Sequence, residues 1–173
     1  AILSFDHWAS KICSTQHDSR GQGTFTITTY QGKNGKKLSL IAAYIAVQKG
    51  TNHGETSLFA QQTTLMELNT KRSNKPLNST FCPRKAAIKA LSDVLTSLQE
   101  QNHAIILMVD ANQTHQECYT NKGTKPHSIE WLRIEHGLDD PFVTHFGQRP
   151  PTTTINNNRD IDYIYTWGVQ IDR

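Results

Sequence analysis

The chain has 173 residues, with 18 Lys and Arg against 15 Asp and Glu, a net charge of +3 and 36% apolar residues. With a mean hydropathy of −0.56, this is one polar domain's worth of chain, long enough for a sizeable core. No run approaches the ~18 consecutive apolar residues of a membrane helix, so a spanning helix is excluded.

Residues 23–30 (GTFTITTY) alternate apolar and polar in the manner of a strand with one wet face. Asn34-Gly35 follows, a dipeptide that tolerates the left-handed backbone of a tight hairpin. Residues 37–47 (KLSLIAAYIAV) return as a nearly continuous apolar strand. Residues 57–70 are expected to be helical, with Leu58, Leu65 and Leu68 on one face. Pro83 opens the strongest helix, because a first-turn proline lacks only an N–H the helix does not use. Ile88, Leu91, Leu95 and Leu98 form its stripe at spacings of three and four. It ends near Asn102 and leads into residues 104–109 (AIILMV), an apolar strand expected to be buried on both faces.

Residues 125–136 predict a shorter helix closed by Gly137. After Pro150-Pro151 come a Thr-rich strand over 152–155, a turn at Asn156-Asn157-Asn158, and a last strand over 160–167. Hairpins alternating with two or three helices, without regular βαβ units, indicate α+β layering with a mixed or antiparallel sheet. The whole of 1–173 reads as a single domain. It opens inside an apolar stretch, Ala1-Ile2-Leu3, without initiator Met or a basic-then-apolar leader, and is expected to be a piece of a longer chain.

The polar residues set into apolar strands carry the chemistry. Asp110 and Asn112 follow the 104–109 strand directly, and residues two apart at a strand end can point to one side. A carboxylate beside a carboxamide suits phosphodiester hydrolysis: the acid orients or deprotonates water, and the amide bonds a phosphoryl oxygen. An Asx turn closing the strand explains the same residues. Asp162 repeats the device between Ile161 and Tyr163. It is either the cross-strand partner of Arg159 or the acid that orients a catalytic histidine. Tyr44 is a core aromatic or a hydroxyl aimed at phosphate. Asp139-Asp140, after Gly137-Leu138, reads as a turn or helix-cap pair.

Lys71, Arg72, Lys75, Arg84 and Lys85 occupy a stretch free of acids. It reads as a phosphate-contacting surface or as a solvated loop with a basic bias. The three cysteines, Cys13, Cys82 and Cys118, are odd in number and scattered, so they do not form a disulfide framework. His115 and Cys118 have metal-like spacing but no second pair, and a structural zinc site needs four ligands. Two glycosylation sequons begin at Asn78 and Asn112. A glycan on Asn112 would block the site, so an intracellular compartment, nuclear or cytoplasmic, is expected.

In order and spacing, these pieces resemble the endonuclease/exonuclease/phosphatase superfamily, with an overall flavour closest to LINE-type retrotransposon endonuclease domains. The matching segments are Ile41-Ala42-Ala43-Tyr44-Ile45-Ala46 (S-A-Y-x-P-like), Val109-Asp110-Ala111-Asn112 (G-D-F-N-like), Gly137-Leu138-Asp139-Asp140 (G-L-x-D-like), Pro150-Pro151-Thr152-Thr153 (P-x-T-like) and Arg159-Asp160-Ile161-Asp162-Tyr163-Ile164 (R-x-I-D-Y-I-like). Ala1-Ile2-Leu3-Ser4 resembles an early strand of that family. The resemblance implies a four-layer, DNase I-like α/β sandwich, here its latter two-thirds. It implies Mg²⁺- or Mn²⁺-assisted cleavage of DNA in a retroelement protein that also carries a reverse transcriptase.

By the same resemblance Asp110 is the water-activating acid and a metal ligand, Asn112 its phosphate-binding neighbour, Tyr44 a phosphate contact and Asp162 the histidine orienter. Val109 stands where the family has Gly, and no Pro follows Tyr44. The family's metal-binding Glu would precede Ala1 and its Ser-Asp-His would follow Arg173, so residues 1–173 alone are expected to be inactive. The missing imidazole should leave Asp162 bonded to backbone, Tyr or water instead. A phosphatase of the same fold, or a non-catalytic nucleic-acid-binding or structural module, are the alternatives.

Overall fold

The computed structural model describes residues 1–47, 54, 56–72, 82–149, 152–154 and 159–170. Its centre is a mixed five-stranded sheet in the order β1 (Ile12–His17), β2 (Phe25–Gln31), β3 (Lys37–Tyr44), β4 (Ala104–Asp110) and β7 (Asp162–Trp167). β5 (Tyr119–Thr120) and β6 (Gly123–Thr124) form a separate small ribbon. The helices are α1 (Asp6–Ala9), α2 (Leu58–Arg72), α3 (Pro83–Glu100), α4 (Ile129–Glu135) and α5 (Pro141–Phe146).

The β2–β3 hairpin closes as its sequence requires. Asn34 at φ 57° and Gly35 at φ 75° take the two left-handed positions. β3 runs parallel to β4, and a parallel pair needs a long crossover; α2 and α3 lie in it. α3 begins at Pro83 and buries Ile88, Leu91, Leu95 and Leu98. These side chains meet Ile27, Ile41, Ile105, Leu107, Val109 and Tyr165 in one core, joined by Ile129 and Leu132 of α4.

β4 departs from the expectation of burial on both faces. Ile105, Leu107 and Val109 are buried, whereas Ala104, Ile106, Met108 and Asp110 are only half-buried. Alternation has therefore placed the helices on one face and left the other partly open. α2 also differs: Gln62 and Met66 are its buried residues, while Leu58 and Leu68 are exposed. The stripe at Leu58, Leu65 and Leu68 is not the face that packs. α4 begins at Ile129, later than the sequence suggests, because the Ser128 hydroxyl accepts from the Trp131 N–H at 3.1 Å and caps it there. Residues 152–154 form no strand; the N–H groups of Thr153 and Thr154 both donate to the Arg159 carbonyl. The rest of that segment, including Ile155 and Asn156 to Asn158, lies outside the described residues. β1 carries little apolar alternation, and nothing in its sequence announced it.

Two histidines are buried, His103 beside β3 and His136 where α4 ends against α3. His103 Nδ1 lies 2.9 Å from the Ser39 hydroxyl, which lies 2.9 Å from that of Thr29. His136 is held between Ser92 and Gln99 at 2.8 and 3.1 Å. Burial pushes both imidazoles below the ordinary histidine range. Glu130 is buried too, and burial alone would raise its carboxyl. Hydrogen bonds and charge from Arg133 overcome that and hold it below the usual range.

These signs fix the pH response. A histidine with a depressed folded pKa binds its proton first in the unfolded state, so stability present above about pH 6.5 is lost as pH falls through that value. A depressed glutamate adds a further loss as pH falls through its folded pKa, below its ordinary value. The urea midpoint is expected to drop steadily from pH 7 to pH 4, and a flat profile would contradict this packing. Leu95→Ala, at a fully buried position, is expected to cost about 2–5 kcal/mol in the same assay.

Candidate active site

Strand register builds the site. In the parallel β3–β4 pair Tyr44 lies opposite Asp110, and in the antiparallel β4–β7 pair Asp110 lies opposite Asp162. Tyr44, Asp110 and Asp162 thus form one rung across three strands, on the face turned away from α3. A cleft of about 460 Å³ opens over Asp110 and Asp162, lined also by Ala42, Met108 and Ile164 from the sheet, with Asp140, Phe142 and Thr153; Tyr44 does not line it and borders a neighbouring cleft with Thr24 and Thr26.

Burial pushes the Asp110 carboxyl above its ordinary value. The N–H of Asn112, donating at 3.0 Å, and the charge of Arg84 pull it down, while the Asp162 carboxylate pushes it further up. The net direction is upward, toward the range where a carboxylate accepts a proton from water more readily. Asp162 is exposed and has no hydrogen-bond or ion-pair partner among the described residues. Neither a backbone N–H nor a tyrosine hydroxyl of the described residues reaches it. Nor is it the partner of Arg159, whose Nη2 instead bonds both oxygens of Glu117 at 3.1 and 2.9 Å. Tyr44 is 40% exposed, so its ring is no core aromatic.

Asn112 is brought next to Asp110 but not into the same cleft. Its backbone is left-handed at φ 46°, its N–H closes an Asx turn on Asp110, and its Nδ2 donates to the Ile45 carbonyl at 3.0 Å. The turn and the site are therefore the same structure, and the two readings of Asp110-x-Asn112 do not compete. The expectation that both side chains face one side is corrected. The left-handed residue rotates Asn112 toward a second cleft of about 430 Å³, lined by Arg84, Asn112, Gln113, Glu117, Lys125 and Arg159.

The basic stretch is divided. Arg84 is no surface contact: it is buried, and its guanidinium donates to the Ala46 carbonyl at 2.8 Å and the Ala111 carbonyl at 2.9 Å. It fastens the chain beyond β3 to the chain beyond β4. Lys71 and Arg72 end α2, and Lys85 sits in the first turn of α3, all three exposed. Lys75 lies outside the described residues. Asp140 caps α5, accepting from the N–H groups of Phe142 and Val143 at 3.1 and 3.2 Å. Phe142, Lys125 and Glu117 were missed by sequence reasoning, since none stands in a recognisable motif.

His115 and Cys118 do not form a metal pair. His115 Nε2 lies 3.9 Å from Glu130, and the Cys118 thiol donates to the Thr114 carbonyl. None of the three cysteines forms a disulfide among the described residues. Among the described residues no group of three or more His, Cys, Asp or Glu gathers to hold a metal. What remains is Asp110. A single carboxylate fits a hard cation such as Mg²⁺, which takes one or two carboxylates and keeps several waters, and does not fit zinc.

No family model and no curated protein matches the chain. Solved structures do. One is the human Nocturnin catalytic domain with bound sulfate anion, with a TM-score of 0.49 and 13% identity over 90% of this chain and 47% of that one. A beta hairpin deletion mutant of beta toxin from Staphylococcus aureus gives 0.38 and 14% over 83% and 44%. A second structure of that beta toxin gives 0.41 and 12% over 90% and 50%. The chain spans about half the length of each. Similarity at this level assigns no activity to the chain, whose own sheet and helices make it a mixed α/β protein.

An acid whose folded pKa is raised is disfavoured in its charged form, so removing the charge relieves the fold. Asp110→Asn keeps an oxygen for the Asn112 N–H and is expected to raise the urea midpoint at pH 7. A lower midpoint would show that the Asp110 charge supports the fold.

Proposed function

We propose that the chain belongs to a metal-dependent phosphodiester hydrolase domain of the endonuclease/exonuclease/phosphatase type, acting on DNA within a retroelement protein inside the cell. The observation that carries the reading is the facing pair Asp110 and Asp162 at the mouth of one cleft, with the Asp110 carboxyl displaced upward. Two like charges held across a sheet are unfavourable unless something of opposite charge, or a proton, comes between them. The half-buried Asp110 carboxylate is costly for a fold that does not use it.

Asp110 would hold Mg²⁺ or Mn²⁺, which when bound would neutralise phosphate charge and make water a better nucleophile. The protein's own groups do the rest. Asp110 accepts the proton of the attacking water. The Tyr44 hydroxyl, at the adjacent strand end, donates to a phosphoryl oxygen. Asn112 positions Asp110 through its N–H; its amide nitrogen already serves Ile45, so its part in this chain is to hold the turn. Asp162 stands ready to orient an imidazole. No histidine lines the cleft among the described residues.

The test is Mg²⁺-dependent nicking of supercoiled DNA. The full-length protein that carries this chain is expected to nick, and Asp110→Asn to reduce the rate by about 10³-fold or more, since groups acting as a unit fail together. Residues 1–173 alone are expected to show no measurable nicking. Efficient cleavage by 1–173 that Asp110→Asn abolishes would show that the essential groups lie within this stretch. Cleavage by the full-length protein that survives Asp110→Asn would overturn the assignment of the site.

A further inference from the structure

The second cleft holds a charge imbalance that the chemistry at Asp110 does not use. Arg84, Lys125 and Arg159 line it against a single acid, Glu117. Arg159 takes up the Glu117 carboxylate, while Lys125 Nζ donates to the Glu117 backbone carbonyl. Arg84 is 8% exposed and has no carboxylate within ion-pair distance among the described residues; only the Ala46 and Ala111 carbonyls meet its guanidinium. Burial pulls its pKa down, the mark of a cation whose surroundings do not fully compensate it. Three cations against one acid, already engaged by Arg159, leave the cleft net positive, and a buried guanidinium bonded only to carbonyls at its back makes it a site for an anion.

The location says which anion. The two clefts flank one turn, Asp110 on one side and Asn112 on the other. The turn is shared, so a strand of linked phosphates that enters the first cleft at Asp110 meets the second cleft at once on the Asn112 side. We propose that the cleft of Arg84, Lys125 and Arg159 binds the phosphate next to the scissile one, so that the substrate is a polymer strand with successive phosphates. A substrate with a single phosphate leaves this cleft empty. The inference rests on the reading of Asp110 and Asp162 as the reaction centre, but the groups that bind the second phosphate are separate from theirs.

Binding measured without metal separates the two ideas. Arg84 holds strand ends together, so the variants are Lys125→Gln and Arg159→Gln, at partly exposed positions. The probe is a short duplex DNA, titrated by fluorescence anisotropy at several salt concentrations against the full-length protein. Each variant is expected to weaken binding several-fold. The slope of log Kd against log salt should fall by roughly 0.9 for each phosphate that is no longer neutralised. Asp110→Asn should leave that slope unchanged while abolishing cleavage. Wild-type affinity and slope in both variants would overturn the proposal even if Asp110 proves catalytic. So would equal competition by inorganic phosphate and by DNA at matched phosphate concentration, which marks a general anion site only. A reduced slope in the variants with cleavage unaffected by Asp110→Asn would keep this site and remove the reaction centre.

Discussion

Strand register is the constraint on which everything else depends. Side chains in a strand alternate between faces, so slipping β4 by one residue against β3 and β7 would turn Asp110 into the helix-packed core and Val109 out to the open face. The register is held from the packed side. Ile105, Leu107 and Val109 lock against α3 and against Ile41 and Tyr165, and any slip would exchange these for Ile106, Met108 and a carboxylate. Hydrophobic burial on one face thus fixes the position of charge on the other. The half-buried Asp110 carboxylate is locally unfavourable, and the core behind it offsets that.

Beyond the last ladder pairs the chain would be free to splay, and three contacts stop it. The Ile45 N–H donates to the Asp110 carbonyl at 2.8 Å, Asn112 Nδ2 donates to the Ile45 carbonyl, and Arg84 reaches from α3 to the Ala46 and Ala111 carbonyls. A carboxylate required to act on water must be held within a fraction of an ångström. Here the holding is done by backbone carbonyls and an Asx turn, not by a partner for the carboxylate itself. Asp110 is therefore fixed in place and incompletely neutralised, which is the state that both a cation and a proton can exploit.

The parts of the fold legible in the sequence were those set by one local rule. Asn34-Gly35 made its hairpin because few other dipeptides accept two left-handed positions, and α3 followed Pro83 and its leucine stripe. Tyr44, Asp110 and Asp162 could be picked out because each interrupts or ends an apolar strand. Less visible were features decided by tertiary contact. β1 has no pattern of its own and is recruited by the free edge of β2. α2 packs through Gln62 and Met66 although its leucines suggested another face. Asn112 turned away because of a single left-handed residue, and Arg84, which looked like one more surface cation, proved to be a buried clamp. Sequence spacing alone separates neither a charge in solvent from one spent on carbonyls, nor one side of a turn from the other.

If Asp110 and Asp162 share one site, each must feel the other's charge. Carbon-detected NMR titration of the Asp110 side-chain carboxyl reads that directly, comparing the unaltered chain with Asp162→Asn. The Asp110 midpoint is expected above the ordinary aspartate value of about 3.9, and it should move down when the Asp162 charge is removed. An Asp110 midpoint at or below the ordinary value, or one indifferent to Asp162→Asn, would contradict a shared site.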